Sequence, residues 1–313
     1  CDGAMSSVGD VVNQVVGIIV DIVMGVIGPI LAMFALSLIG FVTFAWFHSA
    51  IPLLVQDYGV TGAQVLTLIG LWLLLNLVYN YVMTYLVGPG NPPAILDDVR
   101  KAALADDPAL NPGMAVRYCK VCQCVKPMRT HHCSMCKKCV LKMDHHCPWV
   151  NTCVGYKNHK HFLLFLHYMW SGTLFFLLAT GKHTLRSMFG GRGRHDSVFM
   201  FAGIMCFSAC IASALFYFWN IYLVGSNQTT IEFYSNVFDK ASNRYPHNVF
   251  DLGFKRNFSE VFGFEVKFLN WLLPSRSLPY GDGVVYPMKM TKSGAIKHEH
   301  RHLNPDMQMA TIV

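Results

Sequence analysis

The sequence predicts an all-α polytopic membrane protein, with four transmembrane helices and a small cysteine-rich domain of short β-hairpins inserted between the second and the third. Three observations carry that prediction. The 313 residues are 53% hydrophobic and only 14% charged, with a mean hydropathy of +0.36, which is a membrane protein's balance. Apolar runs at about residues 30–47, 65–87, 162–180 and 198–224 each reach or approach the roughly twenty residues that a spanning helix needs. Eight cysteines crowd between Cys119 and Cys153, inside the polar stretch that separates the second run from the third. Four crossings put both termini on one side.

Taken in order, residues 1–29 form an N-terminal segment. Apolar sequence begins near Val11 and continues to Val55, too long for one helix, and Gly28-Pro29 is expected to divide it. Ahead of that break Asp10, Gln14, Gly17 and Asp21 recur at helical spacing among valines and isoleucines, which reads as an amphipathic helix lying in the membrane interface; a fifth span is the alternative. The segment lacks a basic n-region, so no cleavable signal is expected. Residues 30–87 then hold transmembrane helices 1 and 2, 88–161 the cysteine-rich domain, 162–224 helices 3 and 4, and 225–313 a C-terminal domain.

Charge orients these elements. Residues 88–161 carry eleven lysines and arginines and the tail after Val224 carries ten, whereas the connection at about residues 48–62 carries none. The cysteine-rich domain and the tail are therefore expected on the cytosolic side, with Lys182, Arg186, Arg192 and Arg194 in the opposite loop as a minority. A reducing cytosol also keeps clustered cysteines free for metal and thiolate chemistry. The net charge of +7 suits anionic partners, and the flanking spans argue against nucleic acid.

The cysteine-rich stretch is a duplication. Cys119, Cys122, His132 and Cys139 follow Cys-x2-Cys-x9-His-x6-Cys, and Cys133, Cys136, His146 and Cys153 repeat it fourteen residues later. Zinc fits best, because it takes four tetrahedral thiolate and imidazole ligands and a Cys-x-x-Cys turn presents two sulfurs at the right separation. Closed ligand sets imply two structural zinc ions. Two all-cysteine sites recruiting Cys124 and Cys147 are an arithmetic alternative that the duplicated spacing opposes. Cys124 has no counterpart in the second copy, where Lys138 stands, and is read as a bystander or an acylation site. His131 is read as structural, and His159 and His161 as surface or packing residues.

Cys147 falls where a third copy would begin, but Val150 occupies its second cysteine position. That leaves Cys147 without a knuckle partner. Thr130-His131-His132-Cys133 in the first copy becomes Asp144-His145-His146-Cys147 in the second, so a carboxylate replaces a hydroxyl beside the spare histidine. With His146 a ligand, Asp144, His145 and Cys147 remain as orienter, base and nucleophile.

These residues, with Pro148-Trp149 behind them and the match running from about Arg117 to Phe162 through Gly155 and Asn158, resemble the signature of the DHHC protein S-acyltransferases, the palmitoyltransferases. The resemblance implies ping-pong transfer of a palmitoyl or similar long-chain acyl group from acyl-coenzyme A to membrane-proximal cysteines of protein substrates at a lipid bilayer. It further implies an endomembrane location, endoplasmic reticulum or Golgi, with a cytosolic active site. Lys126 and Arg129, inside the zinc domain, are expected to hold coenzyme A phosphates, and Trp149 to line the entrance for the acyl tail. Small Ser171 and Gly172 lie where bulk would cap a cavity in the third span.

Thr229-Thr230-Ile231-Glu232 alone reads as a helix N-terminus with a partial capping pattern. The resemblance adds that Thr229, Thr230 and Glu232 match the family's Thr-Thr-x-Glu motif, which packs on the zinc domain near the catalytic acid. Gly88-Pro89-Gly90 stands where the family has Asp-Pro-Gly, so the missing carboxylate's contact is in question. Asn257, within Asn257-Phe258-Ser259-Glu260-Val261-Phe262-Gly263, is similar to the family's aromatic, asparagine-containing C-terminal element; by pattern the segment is amphipathic and docks on the membrane domain. Residues 298–302 read as a disordered basic tail. Rival readings from other classes are a zinc-stabilised membrane adaptor that catalyses nothing, and a membrane ubiquitin-ligase-like module.

Overall fold

In apolar surroundings every backbone amide must find its partner within the chain, which favours unbroken helices. The computed structural model describes residues 8–93, 117–189, 197–238, 248–263 and 279–289, and its first half follows that rule. Helix α1 (Val8–Ala45) runs through Pro29, passes into a π-helical turn (Trp46–Ala50) and continues as α2 (Ile51–Val87). The division expected at Gly28-Pro29 is therefore absent: proline forfeits one amide bond, and the rest of the helix still satisfies its own backbone. Gly28 has a different use. A Cβ there would collide with the Asn151 side chain, so this glycine lets the turn after Cys147 lie against α1.

The connection expected at residues 48–62 is also helical for most of its length, and the chain reverses at Gly59, whose φ of 70° is left-handed. Trp46 Nε1 donates to Thr67 Oγ1 at 3.2 Å, and the Tyr81 hydroxyl lies 3.3 Å from the carbonyl of Ala32, so the two arms run antiparallel about that glycine. Among the described residues three stretches are long and apolar enough to cross a membrane: Gly25–Val87, His159–Ser187 and Ser197–Gly225. The last two belong to α3 (His159–Phe189) and α4 (Ser197–Gly225). Lys182 and Arg186 lie on α3, not in a loop, while Arg192, Arg194 and residues 298–302 fall outside the described residues.

Three antiparallel hairpins make the cysteine-rich domain: β1 (Arg117–Cys119) with β2 (Cys124–Lys126), β3 (His131–Cys133) with β4 (Lys138–Val140), and β5 (His145–Cys147) with β6 (Thr152–Val154). The fourteen-residue repeat is structural. Cys119 faces Cys124, Cys133 faces Lys138 and Cys147 faces Thr152, and Gln123, Lys137 and Asn151 turn each hairpin with φ of 50°, 54° and 50°. The third hairpin is set into the helices. Cys147, Val150 and Val154 share one core with Tyr81, Phe162 and Val224. Asn158, fully buried, donates to the carbonyls of Thr84 and Cys153, tying α2 to β6. Backbone bonds from Leu141 to Gly90 O and from Lys157 to Pro89 O hold the Gly-Pro-Gly segment to the domain without a carboxylate.

Two short helices, α5 (Thr230–Phe238) and α6 (Phe254–Phe262), fasten the C-terminal part to the hairpins. Thr229 Oγ1 accepts from Glu232 N at 3.2 Å and Glu232 Oε2 accepts from Thr229 N at 2.9 Å, a reciprocal cap. The same Glu232 receives Arg129 through Nε and Nη2, both at 2.7 Å. Arg129 also donates to Asn227 Oδ1 and its carbonyl, each at 2.9 Å, and stacks over Phe250. Its side chain is fully buried. Arg129 therefore cannot present its charge to coenzyme A phosphates, contrary to the expectation from its position. Lys142 pairs with Glu260 at 3.0 Å in the same buried cluster. Asn257, fully buried, donates to Gly225 O and Asp251 Oδ1 and accepts from Leu252 N, closing α6 onto the end of α4.

Burial opposes the ionisation of Glu232, but Arg129 outweighs it and lowers its pKa below the ordinary carboxylate value. Glu232→Gln, which leaves buried Arg129 only the more distant Glu260 at 3.9 Å as a counter-charge, is expected to cost about 3 kcal/mol. A carboxylate with a depressed pKa contributes stability above its unfolded value and loses it as the pH falls through the folded one. The gap in thermal stability between the two proteins should thus be widest above the ordinary carboxylate value and narrow as the pH falls below it. A gap independent of pH would mean the pair is not charged.

Candidate active site

A β-strand sends alternate side chains to opposite faces. In β3 this divides two adjacent ligands between two metal sets. His132 turns to Cys119, Cys122 and Cys139, while Cys133 turns to Cys136, His146 and Cys153. The sulfurs of the first set lie 3.6, 3.2 and 3.9 Å from His132 Nδ1, and those of the second 3.8, 3.3 and 3.6 Å from His146 Nδ1. Tetrahedral zinc with bonds of about 2.3 Å to sulfur and about 2.0 Å to nitrogen requires such edges to be roughly 3.5 Å. Both donor sets fit a closed zinc site. The structure thus brings together all eight ligands predicted from spacing, and neither set includes Cys124 or Cys147.

The hairpins share their duties. The second and third each supply a cross-strand pair to the metal set whose knuckle lies in the hairpin before, His132 with Cys139 and His146 with Cys153, and the turn of the second carries the knuckle of the next set. In the third hairpin no set follows. The turn is a 3-10 helix (Pro148–Val150), and Cys147 occupies a metal-ligand position that serves no metal set.

The same alternation separates the tasks in β5. His146 faces its metal set, so His145 and Cys147 share the opposite face. Asp144, fully buried, accepts His145 Nδ1 at 2.6 Å, Thr230 Oγ1 at 2.9 Å and Thr230 N at 2.8 Å. A carboxylate can only accept from the ring, which assigns the hydrogen to Nδ1 and leaves Nε2 as the base. Nε2 is buried and has no hydrogen-bond partner. The ring is held edge-on by Phe162, with centroids 5.2 Å apart.

Burial favours the neutral forms of both residues, but their mutual hydrogen bond prevails. It holds Asp144 at about 2 and, with the neighbouring Cys147 thiol, raises His145 to about 9. Such an imidazole can take a proton from the thiol beside it. The Trp149 carbonyl accepts from the Tyr81 hydroxyl at 2.9 Å, fixing the turn, while its indole remains about half exposed at 48%. Lys126 is partly exposed on β2. His159 and His161 are buried, and His161 Nδ1 meets Asn80 Oδ1 at 3.2 Å.

Sequence reasoning missed Asn227, Lys142, Glu260 and Tyr81. Only Lys142 and Tyr81 stand among apolar neighbours that could have marked them. Metal analysis of the purified protein should find two zinc ions per chain, and His132→Ala should lose one and much of the domain's stability, because ligand binding and folding are coupled here. A stoichiometry of one would contradict the two sets.

Comparison with known proteins agrees with this geometry. Residues 114–237 match the family model described as DHHC palmitoyltransferase. The chain is 36% identical over 270 residues to human palmitoyltransferase ZDHHC2, covering 78% of this chain and 71% of that protein. It is 34% identical over 276 residues to palmitoyltransferase PFA3 of Yarrowia lipolytica, covering 74% and 66%, and 43% identical over 183 residues to palmitoyltransferase ZDHHC15 of Xenopus laevis, covering 56% and 51%. With its duplicated metal sets and its Asp144-His145-His146-Cys147 strand, this chain belongs to the DHHC palmitoyltransferase family and is a membrane protein S-palmitoyltransferase.

Proposed function

We propose that the enzyme transfers a palmitoyl or similar long-chain acyl group from acyl-coenzyme A to protein cysteines in two steps through Cys147. The observation that carries this reading is the unpartnered, buried Nε2 of His145 on the same strand face as the Cys147 thiol, with Nδ1 engaged by Asp144. His145 Nε2 takes the thiol proton, and the thiolate attacks the thioester carbonyl of acyl-coenzyme A. The carbon–sulfur bond to coenzyme A breaks, its thiolate receives the proton from His145, and a thioester on Cys147 remains. A substrate cysteine, deprotonated by the same base, then attacks that thioester and Cys147 is regenerated.

Two structural zinc ions, held by the two closed sets, keep β5 rigid and take no part in the transfer. The antiparallel arms of Gly25–Val87 make two passes and α3 and α4 two more, giving four transmembrane helices with the hairpins and the C-terminal part on the cytosolic side. There Cys147 meets acyl-coenzyme A and membrane-proximal substrate cysteines, and the acyl tail enters the helices beside Trp149. A Cβ at Gly172 would meet open space, which supports room for a chain along α3. Lys126 remains as a contact for coenzyme A phosphate, and the compartment is the endoplasmic reticulum or Golgi.

Incubation with labelled palmitoyl-coenzyme A should give a hydroxylamine-sensitive adduct at Cys147, absent in Cys147→Ser although that variant keeps both zinc ions. An adaptor without catalytic activity would give no adduct in either protein. Thr230→Val removes one donor from Asp144 and should slow acylation roughly tenfold, the worth of one hydrogen bond to a charged group.

A further inference from the structure

The end of the helical bundle remote from the hairpins carries a second feature that acyl transfer does not use. A groove of about 520 Å³ opens between α2 and α3, lined by Tyr58, Thr61, Val65 and Leu66 from one and by Phe175 and Ala179 from the other. Along α3 the residues at 175, 179, 182 and 186 are spaced by four, three and four, so the face that lines the groove continues into Lys182 and Arg186. Both cations are exposed, Lys182 at 69%.

Asp57 Oδ1 pairs with Lys182 at 2.5 Å and Asp57 Oδ2 meets His183 Nε2 at 2.7 Å. One carboxylate against the two fixed cations Lys182 and Arg186 leaves a local charge of +1 before His183 is counted. Thr61 and Gly62 lie in the first turn of the arm that restarts after Gly59, the end of a helix that favours anions.

Depth identifies the occupant. Phe175 and Ala179 lie 16 and 20 residues beyond the start of α3, about 24–30 Å at 1.5 Å per residue, which is about the thickness of the hydrocarbon layer. Lys182 and Arg186 lie about 35–40 Å along, at the level of the opposite headgroups. We propose that this groove seats one anionic phospholipid, with an acyl chain between α2 and α3 and its phosphate on Lys182 and Arg186. The assignment rests on the reading that these helices cross the bilayer, and it is independent of the chemistry at Cys147.

The test uses the full-length protein in a neutral detergent, its melting temperature recorded with phosphatidylglycerol, with phosphatidylcholine of the same chains, and with inorganic phosphate. Phosphatidylglycerol should raise the melting temperature saturably by about 4 °C or more at a hundredfold excess over its Kd, and the other two should not. Lys182→Gln with Arg186→Gln should abolish the shift by removing the headgroup contacts, and Ala179→Phe by filling the groove. Retention of two zinc ions and of the Cys147 adduct shows that these variants are folded. An equal shift with phosphatidylcholine, a shift with phosphate alone, or a shift that survives both sets of substitutions would overturn the proposal. Loss of the Cys147 adduct in the unmodified protein, with the phosphatidylglycerol shift intact, would refute the acyl-transfer reading and leave the lipid seat standing.

Discussion

The two-residue alternation of β5 is the constraint on which the site depends. Because successive side chains leave a strand on opposite faces, His146 cannot reach its metal set without turning His145 and Cys147 away from it. One strand thus joins a metal-set residue on one face to the proposed base and nucleophile on the other. A slip of one residue would exchange the faces, giving His145 to the metal set and burying the thiol's partner among sulfurs. The cross-strand pairing of His146 with Cys153 opposes that slip, since both are ligands of one set.

What alternation cannot supply is the environment of Asp144. A fully buried carboxylate is costly unless its oxygens are hydrogen-bonded, and here two of the three donors come from Thr230, 86 residues away. The site is therefore complete only when α5 is docked. Arg129 and Glu232 do that docking, and their mutual burial makes the contact specific, because neither charge can be left behind without its partner. Lys142 and Glu260 repeat the arrangement between the hairpins and α6. The C-terminal part is in this sense a structural member of the candidate site, which it reaches through Asp144.

The sequence made much of this legible where local spacing carries the information. The fourteen-residue repeat named all eight residues that gather into the two clusters able to hold a metal and left Cys147 outside them, since a hairpin is a local object and its register repeats with its turns. The cap at Thr229 and Glu232 could be read for the same reason. Arg129 was misread because its partners stand about a hundred residues away, and a basic residue in a zinc domain looks exposed until Glu232 and Asn227 are placed on it. Gly28-Pro29 was misread in the opposite sense. Its glycine serves a close approach to Asn151, not a break, and only the folded arrangement shows that neighbour.

The division of labour within β5 is tested most directly by measuring zinc content and Cys147 acylation side by side in His145→Ala and His146→Ala. The account predicts that His145→Ala keeps both zinc ions while acylation falls by roughly 10²- to 10⁴-fold, and that His146→Ala loses one zinc first, with acylation lost as the domain loosens. Loss of zinc from His145→Ala, with both ions retained in His146→Ala, would contradict it.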